Sequence, residues 1–134
     1  WLYLELPNVH DARNAVYMIE QFRRGYYQKA HITYWQAETL GNLLSILGFE
    51  ARISFQERYS LYNHLGWLLY AQGYEANGHQ NTPMRTPLDP VPEGHPLSRA
   101  VNRVLRRLDS EYRVQMITNG ITDALQVMAQ RREI

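Results

Sequence analysis

The chain has no cysteine and a single lysine, Lys29, among 134 residues. Without cysteine there is no disulfide framework, no thiol nucleophile and no zinc site built on thiolates. Aromatic residues nearly vanish in the second half: beyond Tyr74, Tyr112 stands alone. Long apolar runs are missing too. The longest, Leu65 to Ala71, falls far short of the ~20 residues that a membrane-spanning helix requires. Internal repeats and low-complexity tracts are absent. So are the GxSxG, Walker A and GxGxxG patterns, and the histidines (His10, His31, His64, His79, His95) show no HExxH or other metal-ligand spacing.

What is present describes a globular chain, 45% hydrophobic and 20% charged. Its length suits one domain spanning residues 1–134. Three regions differ in character: an aromatic-rich body (1–72), a Pro-rich strap (73–96) and an arginine-faced tail (97–134). Net charge is +1, but residues 98–134 carry seven basic and four acidic side chains. This tail is mildly basic, well below the profile of a dedicated nucleic-acid binder. The absence of cysteine suits any compartment, and the cytoplasm is the default expectation. A start at Trp1 rather than Met fits a fragment or a processed chain.

The pattern predicts a mainly α fold: four to five helices around an aromatic-rich core, with at most a minor two-stranded β element. A first helix is expected over Val9–Arg24, capped by Asn8 and buried through Val9, Ala12, Val16, Ile19 and Phe22. A second starts at the capping box Thr33–Gln36 and carries the stripe Leu40, Leu43, Leu44 and Leu47 up to Gly48. Phe49–Ile53 alternates as a short strand does and can pair with Trp1–Leu6. A capping box at Ser54 opens a third helix that ends near Gln72. Its face is Phe55, Tyr59, Tyr62, Leu65 and Leu69. Residues 73–96 hold Pro83, Pro87, Pro90, Pro92 and Pro96 and read as a long loop, partly polyproline II.

The tail presents a conflict of phase. At 100° per residue, Val101, Val104, Leu105, Leu108 and Tyr112 share one face, whereas Ile117, Ile121, Ala124, Leu125 and Met128 point the other way. A turn at Asn119-Gly120 between two helices resolves it. One unbroken helix that exchanges partners with a second copy is the alternative.

Two clusters are the candidate sites. Ser98, Arg99, Arg103, Arg106, Arg107 and Arg113 form an arginine face suited to an anion, to nucleic acid or to an acidic partner, because guanidinium forks match phosphate and carboxylate. The ordinary alternative is a solvated helix face. Arg23, Arg24, Tyr26, Tyr27, Tyr34 and Trp35, with Lys29 and His31 nearby, interleave cations and aromatics. Protein interfaces and single-stranded nucleic acid both use that mixture; plain aromatic packing at a helix corner is the alternative. Asp89, Glu93, His79 and His95 converge on a metal only if the strap folds back on itself. His64 is expected to be hydrogen-bonded near the core rather than to act as a base. Thr86-Pro87-Leu88-Asp89-Pro90 holds a weak PxxP docking motif. No catalytic, cofactor or metal residues are assigned. The expected function is a non-enzymatic protein–protein interaction domain, an adaptor or regulator that self-associates through its C-terminal helices. Nucleic-acid binding along the arginine face is the competing reading, and an enzyme comes third.

Overall fold

The computed structural model describes residues 1–27, 33–76 and 93–132. The elements run β1 (Leu2–Pro7), α1 (Ala12–Ala15), α2 (Glu20–Tyr26), α3 (Ala37–Ile46), β2 (Phe49–Gln56), α4 (Leu61–Ala76), α5 (Ser98–Thr118) and β3 (Ala124–Arg131). This corrects the mainly helical expectation. Among the described residues, five helices share the fold with a three-stranded antiparallel sheet, in the order β1-β3-β2. The two segments expected as strands form β1 and β2, running on to Pro7 and Gln56, but they do not pair with each other. Each pairs with β3, which lies between them. Since β3 is antiparallel to both neighbours, β1 and β2 run in the same direction, as a split crossover.

The final segment is the largest departure. Ala124–Arg131 fits a helical stripe through Ala124, Leu125 and Met128, and equally a two-residue alternation through Leu125, Val127 and Ala129. Pairing on both edges selects the strand. Leu125, Val127 and Ala129 are fully buried, while Met128 points outward. Three rows cross the core face of the sheet: Leu2, Ala129 and Ala51; Leu4, Val127 and Ile53; Leu6, Leu125 and Phe55. Leu40 and Leu44 of α3 cap these rows, with Trp35, Ala37 and Phe49 around them. Full burial of side chains such as Leu125 and Val127 contributes about 1.5–3 kcal/mol each.

The predicted turn at Asn119-Gly120 is real. Gly120 takes φ +69°. Ile121 N–H donates to Met116 O at 2.9 Å and Gly120 N–H to Ile117 O at 3.2 Å, the paired bonds that close a helix through a left-handed residue. The chain then enters a strand rather than a second helix. The opposing stripe is thereby broken up: Leu125 joins the core row of β3 and Ala124 is buried at its start, whereas Met128 points outward and Ile117 stays exposed on α5.

Other boundaries shift for local reasons. The first helix breaks in two, because Met18 adopts φ 49° and the helix after it restarts at Glu20. Asp11, not Asn8, caps α1 by accepting from Arg13 N–H at 2.9 Å. Residues 33–36 stay non-helical because Trp35 bridges to Asn8: Val9 N–H donates to Trp35 O at 3.1 Å. Helix α3 consequently starts at Ala37, and of its predicted stripe Leu40 and Leu44 are buried while Leu43 and Leu47 are exposed. Ser54–Gln56 continues β2 opposite Gln126–Ala124, so the predicted helix start moves to Leu61. There Ser60 Oγ accepts from Asn63 N–H at 3.2 Å and Asp109 of α5 accepts from Leu61 N–H at 2.6 Å. Most of the strap, residues 77–92, lies outside the described residues, and with it His79, Asp89 and the PxxP motif.

Candidate functional site

The predicted arginine face separates into two parts. Arg99, Arg103, Arg106 and Arg107 are exposed on α5, with Arg107 paired to Glu111 at 2.8 Å one turn on. Arg113 instead turns inward, and its Nη2 donates to the Glu57 carbonyl at 2.7 Å. Ser98 is buried and accepts from Asn102 Nδ2 at 3.4 Å. The buried face of α5 is thus Ser98 and Asn102, with Leu105, Asp109, Tyr112, Arg113 and Met116 beside it. Val104 and Leu108, expected inside, are exposed. The helix is rotated because its neighbours are the polar start of α4 and the strand ends rather than an apolar layer.

The aromatic corner packs largely on itself. Tyr26 stacks against Phe22 at 5.2 Å and Tyr34 at 4.8 Å, and Phe22 meets Trp67 of α4 edge-on at 5.2 Å. Tyr26 OH donates to the Asn8 carbonyl and Tyr34 OH to the Tyr26 carbonyl. Burial, more than the nearby Asp11 charge, holds the Tyr26 phenol well above the usual tyrosine range. Trp35 is half-buried against the core. What faces solvent is Tyr27, Arg23 and Arg24, the last paired to Glu20 across the surface at 2.5 Å. Lys29 and His31 lie outside the described residues.

A buried polar centre, which composition did not reveal as a unit, sits where β1 and β2 end and β3 begins. Asn8, Glu57, Thr122 and Asp123 leave those three strand ends, and all are buried. Arg13 enters from α1: Nε and Nη2 grip Asp11 at 3.0 and 2.6 Å, and Nη1 reaches Asn63 Oδ1 at 3.3 Å. Its guanidinium lies between the Phe22 and Tyr59 rings, at 4.4 and 3.8 Å from their centroids. Arg58 clamps the strand ends, reaching Asp123 at 2.5 Å and Glu5 at 2.7 Å. Burial pushes the Asp123 carboxyl up despite that partner.

His64 is fully buried in α4, as its place beside the aromatic face suggested. Its Nδ1 lies 2.5 Å from Tyr112 OH, which is 2.7 Å from Tyr17 OH. Burial raises the Tyr112 phenol, reinforced by its bond to Tyr17. On the other side His64 Nε2 is 3.6 Å from Glu57 Oε1. Desolvation lowers the imidazole to about 4 and pushes Glu57 up to about 8, helped by the Asp123 charge. At neutral pH the two are therefore a neutral imidazole beside a protonated carboxyl, not an ion pair. Glu57 Oε2, His64 Nε2 and Arg113 Nε find no hydrogen-bond partner. The centre fastens α1, α4 and α5 to the strand ends. Among the described residues no cluster of His, Cys, Asp or Glu forms a metal site; Glu93 and His95 are exposed.

The remaining feature is the margin of β1. No strand among the described residues pairs with its outer edge over Leu2–Leu6. Leu2, Leu4 and Leu6 point to the core side yet stay half-exposed, because α3 lies over β2. On the opposite face Trp1 is 85% and Tyr3 59% exposed, and Tyr3 stands in one row with Met128 and Arg52. The β2 margin is more charged: it shows Glu50 and Arg52 to solvent, the kind of guard that closes an edge, whereas β1 shows only Glu5, which is tied to Arg58. No helix among the described residues is long and apolar enough to cross a membrane. Comparison with protein-family models, curated proteins and solved structures finds no significant match.

Proposed function

We propose that the chain is a protein-interaction domain whose β1 margin takes up an extended segment of another polypeptide. The observation that carries the reading is the edge itself: along Leu2–Leu6 it has no partner strand among the described residues, half-exposed leucines lie on one side and Trp1 with Tyr3 on the other, and its one charge, Glu5, is tied to Arg58. An added strand satisfies the edge N–H and C=O groups, and its own side chains cover the leucines. Such a role asks for recognition, not chemistry, of this chain.

The test is capture of partners from native extract, with and without nuclease, by the protein and by its Trp1→Lys/Tyr3→Lys variant. Lysines at these outward positions are the guards that natural edges use and leave the core rows intact. A nuclease-resistant partner retained by the parent and lost by the variant supports the reading. Light scattering identifies a second copy as the occupant if the parent dimerises and the variant does not. Capture that is indifferent to both lysines, or abolished by nuclease, overturns it.

A further inference from the structure

Helix α5 carries an apolar seam that the described residues leave exposed except at Val101, which is half-buried. Leu97, Val101, Val104 and Leu108 recur at spacings of four, three and four, the interval that keeps residues along one line of a helix facing a partner helix. The line runs about 16 Å at 1.5 Å per residue. It lies to the side of the buried Ser98–Asn102 face rather than on it. Val104 is 66% and Leu97 57% exposed, and Leu108 is exposed as well. Arg107 flanks this line on its solvent side and Arg103 stands one turn before it, farther round the helix; both are exposed, and exposed Glu111 continues the line at the next step of three. Arg107 is held by a surface pair with Glu111, an exchangeable arrangement because both groups are hydrated.

We infer that this face docks an acidic amphipathic helix of another protein. The helix sets its apolar stripe on Leu97, Val101, Val104 and Leu108 and its flanking carboxylates on Arg103 and Arg107. Helix-in-groove recognition of this kind reads anchors at helical spacing, and flanking charges choose the partner. Charge selects among occupants. Helix α5 has five arginines against Asp109 and Glu111, so a second copy brings the same net positive charge to the face. Nucleic acid matches the arginines but leaves the seam without an apolar partner. The surface is separate from the β1 margin, and the proposal stands whether or not that margin binds a strand.

The experiment titrates the whole chain with two synthetic amphipathic peptides of identical leucine pattern, one flanked by Glu and the other by Lys. The Glu peptide binds and the Lys peptide does not. Val104→Asp/Leu108→Asp weakens the Glu peptide at least tenfold. Arg103→Glu/Arg107→Glu weakens it and restores the Lys peptide. These positions are exposed, and unchanged circular dichroism of each variant verifies folding. Trp1→Lys/Tyr3→Lys leaves Glu-peptide binding unchanged, so failure at one surface is distinguishable from failure at the other. Equal binding of both peptides, binding of neither, or loss of binding in the Trp1/Tyr3 variant overturns the proposal. Single-stranded oligonucleotide binding that survives Val104→Asp/Leu108→Asp, with no peptide binding, also overturns it and assigns the face to nucleic acid.

Discussion

Glu57 and His64 face each other across 3.6 Å, both held by burial toward their uncharged forms. This pairing gives stability a defined pH dependence. The folded carboxyl is raised to about 8, so the folded chain keeps a proton that the unfolded chain releases near the ordinary carboxyl value of 4.5. That contribution is complete below the unfolded value and is lost as pH rises toward 8. The folded imidazole is lowered to about 4, so its effect has the opposite sign: stability rises with pH between about 4 and 6.5. The two slopes oppose each other in mildly acidic solution. Above about 6.5 the Glu57 effect is unopposed by His64. Glu57→Gln should therefore flatten the loss of stability between about pH 6.5 and 8, where one proton corresponds to about 1.4 kcal/mol per pH unit. Urea denaturation of parent and variant across that range measures it; parallel slopes would refute the assignment. In the sequence His64 could be placed near the core. Glu57 could not be placed beside it, because that proximity depends on where β2 stops.

At the scale of elements, most of the helix and strand boundaries are decided by single junctions. Gly120 is the sharpest. It combines φ +69° with a position where a Cβ would stand 3.0 Å from the Phe55 ring, and its carbonyl accepts from Asn8 Nδ2 at 2.9 Å. Gly120→Ala adds left-handed strain of about 1–2 kcal/mol and pushes on a core ring, so a loss of about 2–3 kcal/mol is expected. Thermal or urea unfolding gives the value; a loss under about 0.5 kcal/mol, the size of an ordinary surface change, would show that the turn relaxes freely. The same junction was legible in the sequence as Asn-Gly. Met18 was not, since nothing in Val9–Arg24 announces a left-handed methionine, and the predicted helix ran straight through it. Capping boxes at Thr33 and Ser54 misled for a related reason. Their side chains are suited to helix starts, but backbone pairing of Trp35 with Asn8 and of β2 with β3 had already claimed those residues.

For the whole molecule the consequence is an order of dependence. The two outer strands meet only through β3, the last regular element, and α3 rests on rows that Leu125, Val127 and Ala129 complete. Removal of residues 124–134 should abolish cooperative unfolding rather than lower its midpoint, because no sheet remains and Leu40 and Leu44 lose the surface they cover. Calorimetry of the truncated chain tests this; a retained sharp transition would mean that the helices form a core of their own. The sheet has long-range pairing as its foundation, so folding is expected to wait on docking of this terminal strand.

By itself the sequence determined the punctuation and the polarity of the chain. Gly48, Asn119-Gly120 and the alternation in Phe49–Ile53 follow from local backbone freedom and side-chain period, which neighbours in sequence control. Tertiary structure alone decided that Ala124–Arg131 is a strand, since its residues satisfy both periods and only pairing with β1 and β2 separates them. It also decided which side of α5 is inside. Asp109 capping Leu61 and Tyr112 meeting His64 are contacts between distant residues, and they turn the helix so that Leu97, Val104 and Leu108 stay exposed.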